Sequence, residues 1–118
     1  MESRSYTGSC HCGKVRYEAT TDLSSVMECN CSICSRAGYL LTFVPADNFK
    51  LLSGEDNLTS YHFNKMKIDH SFCKTCGVRS FGQGKNREGQ PMYAVNVRCL
   101  EGVDPKSLQV KQVDGRSA

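Results

Sequence analysis

Cys73-Lys74-Thr75-Cys76-Gly77 is the stretch on which the fold depends. Two cysteines separated by two residues and followed by a glycine make a metal knuckle. The glycine can adopt a left-handed conformation, which lets backbone N–H groups reach the sulfur. A knuckle supplies half of a tetrahedral site, and Cys10-His11-Cys12-Gly13 supplies the matching half. Residues i and i+2 of an extended strand face the same way, so Cys10 and Cys12 are expected to point to one side and His11 to the other. The two pairs close a four-cysteine cage, and closed cages are structural rather than catalytic. Such a cage staples the first strand to the middle of the chain. Knuckle-like spacing in a small β protein favours zinc, with a rubredoxin-like iron centre as the alternative.

Cys29-Asn30-Cys31-Ser32-Ile33-Cys34 gathers three more sulfurs in one short run. It follows a short strand, Val26-Met27-Glu28, and enters a helical turn at Ser32. A zinc with three protein ligands keeps a fourth position for solvent or substrate, which is where chemistry can happen. Cys99 decides whether that position is free. It stands alone in Val95-Asn96-Val97-Arg98-Cys99-Leu100 without the paired spacing of the other clusters. A lone cysteine is commonly a small buried apolar residue. The alternative is that Cys99 closes the second cage and leaves a purely structural module. His11, His70 and Arg36 are the candidate acid–base or substrate contacts, with Asp69 and Glu28 behind them. An imidazole beside an open zinc can move a proton, and a guanidinium can take a substrate carboxylate.

The chain has 118 residues, a length that fits one domain spanning residues 1–118, with the motifs lying within residues 8–108. It has no Trp and is 39% hydrophobic, so the core is modest and bound metal would add to its stability. No apolar run approaches the ~20 residues that cross a bilayer, so no membrane role is expected. Met1-Glu2-Ser3-Arg4 leads into polar residues rather than a secretory signal. The expected setting is cytoplasmic and reducing, where cysteines stay as thiols and bind metal; a disulfide framework is the competing reading. The formal charge is +3, and seven metal-bound thiolates with two divalent ions would cancel it. That balance argues against nucleic acid as a partner, which needs a concentrated basic face.

The texture is β-rich with little helix. Val15, Tyr17 and Ala19 alternate with Arg16 and Glu18 as in a half-exposed strand. Further strands are expected at residues 39–44, 49–52, 58–63, 68–72 and 92–97. Gly82 to Gly89 reads as a glycine-rich hairpin tip, and a second helical turn is expected at Ala46-Asp47-Asn48.

The ordered motifs resemble those of the glutathione-dependent formaldehyde-activating enzyme family, of which centromere protein V looks like a eukaryotic branch. The resemblance begins at Gly8-Ser9-Cys10-His11-Cys12-Gly13-Lys14-Val15-Arg16-Tyr17 and continues through Cys29-Asn30-Cys31-Ser32-Ile33-Cys34 and Ser53-Gly54-Glu55-Asp56. It runs on through Phe72-Cys73-Lys74-Thr75-Cys76-Gly77 to about Leu108. It implies a β-tent of several coiled antiparallel sheets. It also implies two Zn2+ ions per chain, a structural zinc on Cys10, Cys12, Cys73 and Cys76 and a second, open zinc on Cys29, Cys31 and Cys34. Cys99 is not a ligand in that pattern. The implied chemistry is carbon–sulfur lyase chemistry, joining formaldehyde or a similar small aldehyde to the thiol of glutathione or a similar small thiol. Two other readings of the residues stand beside it. One is a non-catalytic zinc-stabilised module that binds protein, or nucleic acid through Lys14, Arg16, Lys85 and Arg87. The other is a redox or metal-handling protein.

Overall fold

The computed structural model describes residues 3–62, 69–86 and 88–114. They form a mainly β structure of two open sheets with one short helix. Strands β1 (Arg4–Ser9), β2 (Arg16–Thr21) and β5 (Phe49–Ser53) make a three-stranded antiparallel sheet in the order β1-β2-β5. The second sheet contains β3 (Val26–Cys29), β4 (Leu41–Pro45), β6 (Leu58–Tyr61), β7 (Asp69–Cys73), β8 (Phe81–Lys85), β9 (Pro91–Asn96) and β10 (Val110–Val113). Its order is β10-β3-β4-β9-β8-β7-β6. Its pairs are antiparallel except β10 with β3, which is parallel. No helix among the described residues is long and apolar enough to cross a membrane.

The alternation expected around Tyr17 is present: Tyr17 and Ala19 are fully buried, while Arg16 and Glu18 are half-buried. Three details differ from expectation. The apolar run from Tyr39 becomes a strand only at Leu41, with Tyr39 and Leu40 buried ahead of it. Gly82 and Gly84 belong to β8, paired with Ala94 and Met92, and beyond β8 the Asn86 N–H bonds to the Gln90 carbonyl at 2.9 Å. The last expected strand stops at Asn96, whose side-chain oxygen accepts the Arg98 N–H at 3.1 Å and curls Val97–Cys99 into a 3-10 turn. Phe63 and Ile68, at the ends of two expected strands, lie outside the described residues.

The two sheets meet through aromatic side chains. Tyr17 stacks on Phe49 with ring centroids 5.2 Å apart, and Phe49 stacks on Tyr93 of the other sheet at 4.0 Å. Phe81 sits against Tyr17 at 5.5 Å and Phe49 at 4.8 Å. Gly8 permits this: a Cβ there would lie 2.3 Å from the Tyr17 ring. Gly8→Ala must displace Tyr17 and is expected to lower stability by about 1–3 kcal/mol, the usual cost of overpacking. Thermal unfolding of the metal-loaded protein measures it.

Candidate metal centres and the adjoining pocket

Four sulfurs meet between the end of β1 and the end of β7. The Sγ atoms of Cys10, Cys12, Cys73 and Cys76 all lie within 4.8 Å of one another, with Cys10–Cys12 and Cys12–Cys73 both at 3.6 Å. A tetrahedral zinc with bonds of about 2.3 Å holds its sulfurs about 3.8 Å apart, so this donor set fits the ion. Cys10 and Cys12 are not on an extended strand. Gly13, at φ +82°, donates its N–H to the Cys10 carbonyl at 3.3 Å, and Gly77, at φ +78°, does the same to Cys73 at 2.9 Å. Both halves are therefore tight turns, because a turn, unlike a strand, leaves N–H groups free to face the sulfurs. The Val15 N–H reaches Cys10 Sγ and the Thr75 N–H reaches Cys73 Sγ, each at 3.4 Å. The Asn57 side-chain amide adds a donor to Cys73 Sγ at 3.3 Å, a contact that no spacing rule signals. The backbone N–H groups of Cys76 and Thr75 hold the Cys73 thiol down at about 6.

Cys29, Cys31 and Cys34 form the second cluster, their sulfurs also within 4.8 Å of one another. Cys29 ends β3 and is pinned by β10, where Val113 faces it and accepts the Asn30 N–H at 3.1 Å. Cys31 precedes helix α1 (Ser32–Ala37), and its carbonyl takes the Ser35 N–H at 2.9 Å. Cys34 is the buried residue of α1. Burial, and next the Cys31 thiol, push the Cys34 thiol up to about 12. Three thiols packed this closely are a donor set that a cation can complete by displacing their protons. Among the described residues no fourth His, Cys, Asp or Glu joins this cluster.

The three cysteines border a pocket of about 330 Å³, within the size range of small-molecule sites. Its walls are mostly apolar, from Met27, Leu41, Phe43, Phe81, Ala94 and Val113. His70, Arg79 and Tyr39 bring polar groups to it. The Tyr39 hydroxyl neighbours the Cys34 sulfur and lies 3.5 Å from His70 Nδ1. Burial, and then Cys34, raise the Tyr39 phenol, whereas burial, and then the Arg79 charge, lower His70.

Of the other sequence candidates, Cys99 lies by the first cluster. It is half-buried, with the Ser80 hydroxyl and the Cys10 and Cys76 thiols as neighbours, and burial raises its thiol. His11 is exposed on the turn between Cys10 and Cys12, away from the pocket. Arg36 is exposed on α1 and donates to the Ser32 carbonyl at 2.9 Å, bordering a separate hollow with Ile33 and Tyr61. His62 pairs with Asp69. Glu28 is exposed on β3. Of the basic residues considered for nucleic acid, Lys14 binds Thr75 Oγ1 at 3.4 Å and Arg16 pairs with Glu101 at 3.2 Å, while Arg87 lies outside the described residues. Tyr39 and Arg79 escaped the sequence reading: one sits in an apolar run and the other in a loop, and neither carries a spacing signal.

Two cysteine clusters that could hold metal ions, one of four sulfurs and one of three at the wall of a pocket, mark this mainly β protein. The model of the glutathione-dependent formaldehyde-activating enzyme family matches residues 5–112. The chain belongs to that family. A crystal structure of a Rhodobacter sphaeroides protein, a structural-genomics target, is similar to it at 34% identity with a TM-score of 0.81. The match covers 91% of this chain and 99% of that one.

Proposed function

We propose that this protein is a zinc-dependent carbon–sulfur lyase-type enzyme that joins a small aldehyde to the thiol of glutathione or a similar low-molecular-weight thiol, and releases it in reverse. The observation that carries this reading is the three-sulfur cluster, without a fourth protein donor among the described residues, at the wall of a pocket. Family membership supports the same chemistry. In this reading Cys10, Cys12, Cys73 and Cys76 hold a structural zinc, and Cys29, Cys31 and Cys34 hold a second. Zinc bound by the three thiolates supplies a position where an incoming thiol stays ionised at neutral pH. A reliance on free thiols fits a reducing setting such as the cytoplasm.

The remaining chemistry falls to side chains. Addition forms a carbon–sulfur bond, breaks the carbonyl π bond and moves one proton from sulfur to oxygen, with no oxidant. His70, held below the ordinary imidazole value of 6.5 and so neutral at pH 7, accepts the thiol proton. Tyr39, beside Cys34 and close to His70, donates to the developing alkoxide and is reprotonated from His70. Among the described residues, the charged or titratable groups around His70 include Arg79, His62, Asp69 and Tyr39. Turnover should therefore hold above pH 6.5 and fall as acid protonates His70 at a value below 6.5. Tyr39→Phe is expected to lower kcat by about 10²-fold with metal content unchanged. His11 and Arg36 stand outside the pocket and take no part.

Exchange NMR on a mixture of formaldehyde and glutathione tests the proposal. The two-metal protein should accelerate formation and breakdown of the S-hydroxymethyl adduct well beyond the spontaneous rate. A fully loaded protein that leaves those rates unchanged for glutathione and for simpler thiols would defeat it.

A further inference from the structure

Among the described residues, the pocket beside the three cysteines is bordered by one permanently charged side chain, Arg79, and by no Asp or Glu. Arg79 is fixed at both ends. Its carbonyl accepts the Asn96 side-chain amide at 2.9 Å, and its guanidinium lies over the Phe72 ring, 5.0 Å from the centroid. Asn96 is used up in this role, since its oxygen takes the Arg98 N–H at 3.1 Å. Among the described residues, Nη1 of Arg79 is buried without an acceptor and no carboxylate pairs with the side chain. A guanidinium stays charged at any physiological pH and offers five donors in a fork that matches a carboxylate. Arg79 is half-buried, and a partly withdrawn charge with an unused donor gains when an anion pairs with it. Arg79 also lines the pocket, so an anion that enters there can meet this side chain.

The walls narrow the choice of ligand. Formaldehyde has one carbon and one oxygen, too little to occupy a pocket of about 330 Å³. The apolar surface of Met27, Leu41, Phe43, Phe81, Ala94 and Val113 must meet the organic part of the thiol. An ammonium group would find no acidic partner there and would face Arg79. We propose that Arg79 sets thiol specificity: the pocket takes a thiol carrying one carboxylate across a short apolar spacer, with sulfur toward Cys29, Cys31 and Cys34 and the carboxylate on the guanidinium. This rests on the reading of the three-cysteine site as a thiol site. Glutathione meets the description through its glycine carboxylate, but its γ-glutamyl ammonium has no acidic partner in this pocket.

Isothermal titration of the two-metal protein with 3-mercaptopropionate, 1-propanethiol and cysteamine provides the test. The first two have thiols of similar acidity and differ in the carboxylate, and the third reverses the charge. The acid is expected to bind about tenfold tighter than propanethiol, the increment of one charge-assisted hydrogen bond, with cysteamine weakest. Arg79→Gln, with its metal count verified, should bind the acid and propanethiol alike, and Arg79→Lys should keep part of the preference. Equal affinity of the acid and propanethiol for the wild-type protein would overturn the proposal, as would an undiminished preference in Arg79→Gln. If that variant fails to fold, the wild-type series alone decides. Thiols that bind without a carboxylate preference overturn this inference and leave the thiol reading standing, whereas absence of binding by every thiol overturns both.

Discussion

Cys73→Ser is expected to abolish the cooperative fold. Cys73 is 1% exposed, and its sulfur is the acceptor for the Thr75 N–H and the Asn57 amide and the neighbour of Cys12 Sγ at 3.6 Å. A serine hydroxyl stays protonated at neutral pH and is a poor ligand, so the substitution removes the ion along with one sulfur. Apparent binding energies of structural zinc are about 10–16 kcal/mol, comparable with or larger than the roughly 5–15 kcal/mol that separates a folded domain from its unfolded state. The cage also joins the end of β1 to the end of β7, so its loss disconnects elements far apart in the chain. Circular dichroism should show a broad, early transition, and a strong chelator should reproduce it in the wild-type protein. Cys99→Ser is the control. Its thiol stands beside the cage without belonging to it, and the metal count should stay at the wild-type value. A cooperative transition in Cys73→Ser at the wild-type temperature would show that the cage does not hold the fold together.

The sequence announced the cages better than the scaffold. Cysteine spacing is a covalent fact, and the residues it singled out are those whose sulfurs converge. β2 was legible because one face is buried and the other wet, which writes period-two alternation into Tyr17, Glu18 and Ala19. β1 and β10 left no such trace. Arg4–Ser9 is polar and mostly exposed at its start, and Val110–Val113 is a short edge strand whose place depends on a parallel partner more than eighty residues earlier. Local pattern cannot report a pairing at that distance. Cys10 and Cys12 depart from the strand that their spacing suggests for a related reason: i, i+2 spacing suits a strand, but the need to aim N–H groups at sulfur selects a turn. The pocket was invisible, because its walls come from β3, β4, β8, β9 and β10 and its polar groups from Tyr39, His70 and Arg79. None of these residues is unusual by itself. Their significance arises when the large sheet places them around the three sulfurs.

Cys34→Ser separates the two clusters. The protein is expected to fold, to retain the first metal and to lose the second together with turnover. The backbone of α1 does not need the thiol: the Ser35 N–H bonds to the Cys31 carbonyl and the Gly38 N–H to the Cys34 carbonyl, both at 2.9 Å. Serine fills nearly the same volume, and its hydroxyl can still meet Tyr39, so packing at this 9% exposed position changes little. The second site, however, falls to two sulfurs, too few to hold a metal against solvent, and incoming thiol loses the group that keeps it ionised. Metal-ion charge stabilisation is worth several kcal/mol, so the rate should fall by about 10³-fold or more. Metal analysis should fall by one ion per chain from the wild-type value, with a thermal transition close to wild type. That combination, set against the unfolding expected of Cys73→Ser, assigns one cage to stability and the other to chemistry. Full turnover in Cys34→Ser would place the reaction away from the three-cysteine pocket. A collapse as complete as that of Cys73→Ser would make the second cluster a structural site as well.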